Sequence, residues 1–301
     1  MQQQLRRVSS VEELNAAVGE ARRAGRRIGF VPTMGALHEG HLSLVRQSLA
    51  EGCFTVVSIY VNPKQFGPSE DFSKYPRTLE ADCKMLAQVG ADIVFTPTDE
   101  ILYPPDFVTW IEPGGTALKL EGACRSGHFR GVATVVLKLF MIVRPDIAFF
   151  GQKDYQQVLM IRAMVRDFLL PIVVRSCPIV REPDGLAMSS RNAYLSPLDR
   201  RRAAALSQSL GVAGLLIAEG QRNVEMILAE MEKTLHHAGI TELDYIVLAD
   251  PMTLEPARQL DGPVVALLAV RVNATRLIDN AILTPPAGSN VSQGPVASAA
   301  L

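Results

Sequence analysis

The sequence predicts an α/β fold in which a parallel β-sheet carries helices on both faces, followed by a smaller α+β domain. Over roughly the first 180 residues, strand-like apolar runs alternate with amphipathic helical segments, a pattern typical of Rossmann-like sheets. The pattern then changes to two helices followed by three strand-like runs. The chain has 301 residues, 48% of them hydrophobic, which is enough for one large or two ordinary domains.

The first helix is predicted over Val11–Ala24, with Ser10 as its N-cap. Five strand-like runs follow, separated by four helical patterns. The predicted strands are Ile28–Val31, Thr55–Tyr60, Asp92–Phe95, Ile147–Phe150 and Ile172–Val174, and the predicted helices are Leu42–Glu51, Thr78–Gly90, Gly131–Val143 and Asp154–Phe168. Ligands of such sheets bind beyond the carboxyl ends of the strands. We therefore expect the site in the segments that directly follow the strands.

The second domain is predicted from residue 181 onward, where Arg181–Gly185 forms a turn between two extended pieces. The predicted helices lie near Pro197–Glu219 and Val224–Ala238, and the predicted strands are Leu243–Ala249, Val264–Val270 and Arg276–Leu283. We divide the chain into a Rossmann-like catalytic domain (1–180), a small α+β domain (181–284) and a disordered tail (285–301) rich in Ser, Gly, Pro and Ala.

The charge and composition of the chain argue against a nucleic-acid partner, a membrane segment and a cysteine-based metal or redox site. The net charge is −1, so there is no electrostatic case for nucleic acid as a partner. The N-terminal residues have no apolar core typical of a signal peptide, and no apolar run reaches transmembrane length. We expect a soluble cytoplasmic protein without a membrane partner. The four cysteines form no CxxC pair, which predicts reduced, buried thiols rather than a metal or redox site.

The segment Met34–His41 carries the clearest chemical signal. It follows an apolar strand, turns at Gly35 and enters a helix, so its backbone N–H groups can face an anion. His38 and His41 lie one helical turn apart, and the helix N-terminus favours their neutral forms as N–H donors to phosphate. A helix cap with two chance histidines is the simpler alternative, and a zinc site lacks the further ligands it needs.

Two more polar segments follow predicted strands. Asn62-Pro63-Lys64-Gln65-Phe66 could bind a small polar substrate, and Gly67–Pro76 after it has the composition of a mobile lid. In Gly151–Gln157, Lys153 could neutralise phosphate charge that grows in a transition state, Asp154 could cap the next helix, and Gln157 could reach a substrate. An ordinary loop and a charged strand-to-helix turn are the alternatives.

Two further segments indicate a phosphate or anion site only when they are considered together with the segments above. Met188–Asn192 offers two hydroxyls and a guanidinium, which suit a triphosphate. Gly122–Gly131 contains three groups able to bind an anion: Arg125, His128 and Arg130. Taken singly, a structural turn or a solvated surface explains each segment as well.

Together these segments resemble a known family. Met34–His41 resembles the HxGH phosphate site of the nucleotidyltransferase superfamily, and Met188–Arg191 resembles its KMSKS-type element. The full series is similar to the pantothenate synthetase (pantoate–β-alanine ligase) family over about residues 8–284. Its segments are PTMGALHEGH, NPKQF, YPRT, GHFRGV, FFGQKDYQQ, PIVREPDGLAMSSRN and TRLIDN.

The resemblance implies an ATP-dependent amide synthesis. Pantoate would be adenylated with release of pyrophosphate, and β-alanine would then attack pantoyl adenylate to give pantothenate and AMP. Mg²⁺ would accompany the ATP, and the enzyme would be a homodimer. Two alternatives stay open: a nucleotidyltransferase that keeps its adenylated or cytidylated product, and a nucleotide-sensing module without turnover.

The resemblance also assigns residues. It implies catalytic roles for His38, His41 (a proton donor) and Lys153. The implied ATP-binding residues are Met34, Gly35, Ala36, Leu37, His38, Glu39, Gly40, His41, Gly151, Gln152, Lys153, Asp154, Val180, Met188, Ser189, Ser190 and Arg191. The implied substrate residues are Gln65 for pantoate and β-alanine, Gln157 for pantoate, and Asn62 and Arg125 as further contacts.

Two points qualify the resemblance. Asp82 is a candidate for indirect contact with Mg²⁺, although a carboxylate on a helix surface is usually only solvated. Before TRLIDN the family commonly has glycine, whereas this chain has Asn273-Ala274-Thr275. Asparagine tolerates left-handed backbone angles, so we expect the turn to form.

Overall fold

Among the residues that the structure describes, the larger sheet has six strands, all parallel; the sequence predicts the parallel arrangement and five of these strands. The computed structural model describes residues 5–68 and 70–286. The strands are β1 (Arg6–Val8), β2 (Ile28–Thr33), β3 (Phe54–Ile59), β4 (Ile93–Phe95), β5 (Ile147–Gly151) and β6 (Val173–Cys177), in the order β1-β4-β3-β2-β5-β6. Strand β1 was not predicted, because its three residues are too few to show a period of two.

Helices connect these strands and form most of the smaller domain. They are α1 (Val11–Arg23), α2 (Glu39–Ala50), α3 (Leu79–Val89), α4 (Asp99–Leu102), α5 (Leu120–Cys124), α6 (His128–Val143), α7 (Tyr155–Asp167), α8 (Pro197–Ala203), α9 (Ala205–Ala218) and α10 (Val224–His237). Ser10 caps α1 as predicted, with a complete capping box. The single helix predicted over Pro197–Glu219 is two helices, α8 and α9, and the short α4 and α5 were not predicted.

The strand order places a topological switch point between β2 and β5. From β2 the chain moves outward through β3 to β4, whereas from β5 it moves the other way to β6. The connections after β2 and β5 therefore part, and the crevice between them is where such sheets bind ligands. The two segments that follow these strands are Met34–His41 and Gln152–Gln157.

Both faces of the six-stranded sheet are covered. Adjacent residues of β2 belong to different apolar clusters: Phe30 packs with α1 and α6, and Val31 packs with α2 and α3. This alternation follows from the period of two along a strand. A separate cluster fills the smaller domain, so the chain has more than one core.

The smaller domain has a three-stranded antiparallel sheet in the order β7-β8-β9. Its strands are β7 (Glu242–Ala249), β8 (Val264–Val272) and β9 (Thr275–Leu283). The β8–β9 turn forms with Asn273 at φ 51°, in the left-handed region that asparagine tolerates. The Asn273 amide also donates a hydrogen bond of 2.7 Å to Asp199, which fixes the turn against α8.

Three further expectations can be compared with the structure. All four cysteines are free as predicted, but only Cys53 and Cys177 are buried: Cys83 is half-buried, and Cys124 is exposed at the end of the short α5. Within residues 5–68 and 70–286, no helix is long and apolar enough to cross a membrane. The predicted disordered tail falls almost entirely on residues 287–301, outside the described part of the chain.

Helix α6 packs unusually closely on the turn that carries Gln65. A Cβ on Gly131 would lie 2.2 Å from the Lys64 carbonyl oxygen and 2.7 Å from the Gln65 Cα. We expect Gly131→Ala to displace this turn and to lower the free energy of unfolding by about 1–3 kcal/mol, as overpacking does. Urea denaturation measures the effect. The control is Gly211→Ala in α9, where a Cβ meets nothing within 4 Å and stability should not fall. Equal stability of both variants would contradict the prediction.

Candidate active site

One crevice, at the switch point between β2 and β5, collects most of the predicted site residues. Those that line it are Met34, His38, Gly40, His41, Asn62, Gln65, Arg125, Gly151, Lys153, Asp154, Gln157, Val180, Met188, Ser189, Ser190 and Arg191. Six separate stretches of sequence thus meet at one place. The carboxyl ends of parallel strands make this possible, since they all open on the same edge of the sheet.

The other predicted ATP-binding residues, Gly35, Ala36, Leu37, Glu39 and Gln152, do not line this crevice. Leu37 is buried in the apolar core, and the Glu39 carboxylate pairs with Arg46 on the exposed face of α2. The Ala36 carbonyl accepts a hydrogen bond of 3.0 Å from the Ser190 hydroxyl. This bond joins the HxGH turn directly to the Met188–Arg191 turn.

Backbone hydrogen bonds set the protonation of the two histidines. The Gly40 N–H donates to His38 Nδ1 at 3.2 Å, and the His38 N–H donates to His41 Nδ1 at 3.4 Å. A ring nitrogen that accepts carries no proton, so each neutral imidazole has its hydrogen on Nε2. The ring centroids are 4.1 Å apart. The pair therefore presents two N–H donors on one side of the helix N-terminus.

The electrostatic environment keeps both rings neutral. Burial, followed by the positive charge of Lys153, lowers the pKa of His38 to about 4. Burial, followed by the neighbouring His38 and Lys153, lowers the pKa of His41 to about 3. These directions agree with the prediction of neutral N–H donors.

The lowered pKa values predict how the first chemical step depends on pH. Since both pKa values fall below the ordinary 6.5, the donating neutral forms persist down to about pH 5. We expect the single-turnover rate at saturating Mg²⁺ to show no acid limb near pH 6.5. Circular dichroism at each pH controls for unfolding, because lowered histidine pKa values destabilise the fold as the pH drops below 6.5. A loss of rate centred near 6.5 in folded protein would contradict the prediction.

Asp82 lies beneath the HxGH turn and not on a solvated surface. Its carboxylate is fully buried and accepts hydrogen bonds from the Ala36 N–H (3.0 Å), the Leu37 N–H (2.9 Å) and the Thr78 hydroxyl (3.1 Å). The expectation of a solvated carboxylate on the helix surface is therefore wrong. Both oxygens serve the turn, and Asp82 does not line the crevice. It supports the turn in which Ala36 has a φ of 49°.

The Gln65 side chain is oriented by Asn62. The Asn62 amide nitrogen donates to Gln65 Oε1 at 3.0 Å and to the Gly131 carbonyl at 3.2 Å, while its oxygen accepts from the Lys64 N–H at 3.2 Å. Asn62 is buried and its polar atoms are all used in this way. Gln65 Nε2 consequently faces Met34, with its nitrogen 3.1 Å from the sulfur.

Two arginines of the crevice pair with one segment, Gly67–Pro76, which the sequence predicts as a lid. Arg125 donates two hydrogen bonds to Glu70 at 2.7 and 2.8 Å, and Arg191 donates two to Asp71 at 2.9 and 2.8 Å. Burial raises the pKa of Glu70, but the bonds from Arg125 outweigh it and bring the pKa to about 2. Both pairs are bidentate, the strong geometry for arginine and carboxylate.

A sequence profile of pantoate–β-alanine ligases matches residues 6–282, nearly the whole chain. The chain belongs to the pantoate–β-alanine ligase family. A relative named pantothenate synthetase, from Thermotoga petrophila, is 50% identical over 92% of this chain and 99% of its own length. The resemblance drawn from the motifs is thus confirmed, and the chain is an ATP-dependent ligase that condenses pantoate with β-alanine.

Solved structures agree with this assignment and with the fold. Pantothenate synthetase from Thermus thermophilus is 45% identical, covers 92% of this chain and 98% of its own, and has a TM-score of 0.87. Pantoate–β-alanine ligase from Francisella tularensis, complexed with β,γ-ATP and β-alanine, is 34% identical with a TM-score of 0.77, and the match covers 92% of this chain and 97% of that one. The predicted fold class is confirmed.

In the ligase, His128 and Arg130, the other two groups predicted to bind an anion, lie in different surroundings. His128 is buried in the crevice wall, accepts from Arg125 at 3.0 Å and donates to the Gln65 carbonyl at 2.9 Å. Burial, followed by the charge of Arg125, lowers its pKa to about 4. Arg130 instead lies 4.4 Å over the Trp110 ring and does not line the crevice, so the expectation of three anion-binding groups holds for neither His128 nor Arg130.

Lys153 enters the ligase crevice from a 3₁₀ turn, Gln152–Asp154, between β5 and α7. Asp154 occupies the N-cap position of α7, but its side chain makes no capping hydrogen bond, contrary to the sequence-based expectation. Its carboxylate instead lies 3.9 Å from the Lys153 ammonium. Among the described residues lining the crevice, Asp154 is the only carboxylate.

Proposed function

We propose that the ligase forms pantoyl adenylate in this crevice and then transfers the pantoyl group to β-alanine. In the first step a pantoate carboxylate oxygen attacks the α-phosphorus of ATP, and the bond to pyrophosphate breaks. In the second step the β-alanine amine attacks the pantoyl carbonyl, AMP leaves, and the nitrogen loses a proton. The observation that carries the proposal is that the histidine pair, Lys153, Gln65 and Gln157 line one crevice.

The proposed catalytic groups act by stabilising charge. Adenylation puts negative charge on the α-phosphate and on the leaving pyrophosphate, and preorganised donors in a site shielded from water favour that charge most. His38 and His41 contribute Nε2–H donors, and Lys153 contributes an ammonium. The resemblance implies that His41 is a proton donor; in this proposal its neutral ring donates Nε2–H as a hydrogen bond to phosphate oxygen and keeps its proton, since its lowered pKa disfavours the protonated ring.

The proposed ATP contacts come from both sides of the switch point. They comprise Met34–His41, Gly151–Asp154, Val180 and Met188–Arg191. Gly35, Ala36 and Leu37 would contribute indirectly, by shaping the turn, because the Asp82 carboxylate takes the N–H groups of Ala36 and Leu37. The neighbouring ligase from Francisella tularensis, complexed with β,γ-ATP and β-alanine, supports the same pair of ligands here.

Pantoate is proposed to bind between Gln65 and Gln157, with β-alanine bordering Gln65. Because Asn62 holds Gln65 Oε1, the Gln65 Nε2 group is the one available to a substrate oxygen. Asn62 itself therefore acts through Gln65 in this arrangement. Arg125 uses two of its five N–H donors on Glu70, so a contact with substrate would either add to that ion pair or replace part of it.

Mg²⁺ is proposed to enter with ATP as part of the substrate. No group of three or more His, Cys, Asp or Glu side chains within residues 5–68 and 70–286 is arranged to hold a metal ion by itself. Asp82 does not fit an Mg²⁺ contact, since both its oxygens accept internal hydrogen bonds. Asp154, which is half-exposed in the crevice, fits an ion carried on the phosphates.

The experiment is an assay of AMP release with each substrate omitted in turn. The ligase should release AMP in step with an amide product only when ATP, pantoate and β-alanine are all present. Pyrophosphate release with adenylate retained, even with β-alanine present, would favour the nucleotidyltransferase alternative. ATP binding without pyrophosphate release would favour the nucleotide-sensing alternative.

Three coarser proposals accompany this one. The domain division at residue 180 is supported by the separate core of the smaller domain. A homodimer is supported by exposed apolar side chains at the edge strand β6 and just before it, namely Phe168, Leu169 and Val173, and light scattering would test it. A cytoplasmic location is proposed because ATP is the co-substrate.

A further inference from the structure

A buried asparagine of the smaller domain holds the turn that carries Lys153. Asn280 lies in β9 and is only 1% exposed. Its amide nitrogen donates to the Gln152 carbonyl at 3.0 Å and to the Lys153 carbonyl at 2.9 Å. Its amide oxygen accepts from the Gln152 side chain at 3.2 Å. Both amide hydrogens and the oxygen are therefore spent on one turn of the other domain.

The preceding residue holds the second phosphate segment. Asp279 is buried and accepts two hydrogen bonds from Arg181, at 2.6 and 3.0 Å. Arg181 begins the small hairpin that pairs with Ala187 and leads directly into Met188–Arg191. The Asp279 carboxylate also accepts from the Asn280 N–H at 2.8 Å, which aligns the two side chains. Two adjacent residues of β9 thus anchor segments from opposite sides of the crevice.

Asp279 and Asn280 are the last two residues of the TRLIDN segment, so these contacts indicate what that segment contributes to the site. Neither Asp279 nor Asn280 lines the main crevice, so neither touches ATP or pantoate directly in the proposed arrangement. The Lys153 turn is only three residues long, and its own side chains do not cap it. Its position relative to the histidine pair consequently depends on contacts from outside, and Asn280 supplies three of them.

We propose that Asn280 is a positioning residue for Lys153, which makes the smaller domain part of the adenylation apparatus. The inference rests on the proposed role of Lys153. Misplacing a charge-stabilising group by about 1 Å can cost 10²-fold in rate. Without the Asn280 amide, two part-buried carbonyls lose their donor, and the Lys153 turn shifts to regain partners.

The test is a double-mutant cycle on the single-turnover rate of pantoyl-adenylate formation. Asn280→Ala should slow this step by about tenfold or more in the native enzyme. In the Lys153→Ala background the same substitution should change the rate by less than about twofold, because residues that act as a unit are not additive. The KM for β-alanine, which enters later, should stay close to its native value.

Leu277→Ala is the matched control. Leu277 lies in β9 and is buried in the core of the smaller domain, and its apolar side chain can form a hydrogen bond with neither phosphate segment. Its truncation should lower the free energy of unfolding and leave the adenylation rate within about twofold. Where Asn280→Ala is not recovered folded, Asn280→Ser replaces it, because serine keeps a polar group but cannot reach both carbonyls.

The possible outcomes distinguish the positioning role of Asn280 from the catalytic role of Lys153. An equal slowing by Asn280→Ala in both backgrounds would show that Asn280 acts independently of Lys153 and would overturn the inference alone. Slowing by Leu277→Ala to the same extent would also overturn it, since loss of stability would then explain the effect. An unchanged rate in Lys153→Ala itself would remove the proposed role of Lys153 and, with it, the positioning role.

Discussion

Lys153→Ala is expected to slow the formation of pantoyl adenylate by about 10²-fold or more, as the loss of other preorganised charge stabilisers does. Its ammonium enters the crevice opposite His38 and His41, close enough to depress the pKa of both. During adenylation, the groups that gain negative charge are the phosphates of ATP, which are proposed to lie between Lys153 and the two histidines. Rapid-quench measurement of adenylate in a single turnover, with ATP saturating, isolates this step from β-alanine transfer.

Two controls sharpen this prediction. Lys233→Ala removes a lysine that pairs with Glu230 on the exposed face of α10, and should leave the rate unchanged. Lys153→Arg keeps the charge but alters its geometry, so it should recover only part of the loss. The stability of Lys153→Ala should be near native, because its ion pair with Asp154 is long, at 3.9 Å. A native single-turnover rate in Lys153→Ala would remove this residue from the mechanism.

Asp82→Ala should have the second-largest effect, on both stability and ATP binding. It leaves the N–H groups of Ala36 and Leu37 without their acceptor in a turn with left-handed backbone at Ala36. Each unsatisfied buried donor costs about 1–3 kcal/mol, so for two donors we expect the free energy of unfolding to fall by about 2–6 kcal/mol. We also expect the KM for ATP to rise. Urea denaturation and initial rates measure the two effects.

The controls for Asp82 distinguish support of the turn from metal binding. Glu80→Ala removes an exposed carboxylate from the same helical turn, which pairs with Arg7, and should change neither quantity appreciably. Asp82→Asn keeps one acceptor oxygen and should show an intermediate loss. Its dependence on Mg²⁺ concentration should match that of the native enzyme. A shift in that dependence, with stability unchanged, would restore Asp82 as a magnesium contact and contradict the role described here.

Local sequence patterns predicted the elements and the segments of the site. Hydrophobic period, Ser10 as a cap and the glycine turn at Gly35 are all short-range signals, and each is confirmed. The strand ends then located the crevice, because parallel strands open on one edge. The histidines could be placed on one face and assigned as neutral from their spacing and their position at a helix N-terminus.

The groups missed by the sequence analysis depend on contacts between distant residues. Glu70 and Asp71 are ordinary polar residues of a loop until Arg125 and Arg191 are seen beside them, 55 and 120 residues away. A carboxylate in the first turn of a helix is usually solvated, and only the packing of α3 beneath the HxGH turn shows that Asp82 is buried. No local pattern marks either arrangement.

Short runs of residues were enough to identify the family and the reaction, and to locate along the chain the segments proposed to bind phosphate. How those segments are held in place became visible only in the folded chain. Asp82 accepts hydrogen bonds from the HxGH turn, Arg125 and Arg191 pair with acidic residues of the Gly67–Pro76 segment, and Asn280 donates to the Lys153 turn. The physical reason is that buried polar groups take whichever partners the folded chain brings within reach, and that choice is not encoded in spacing.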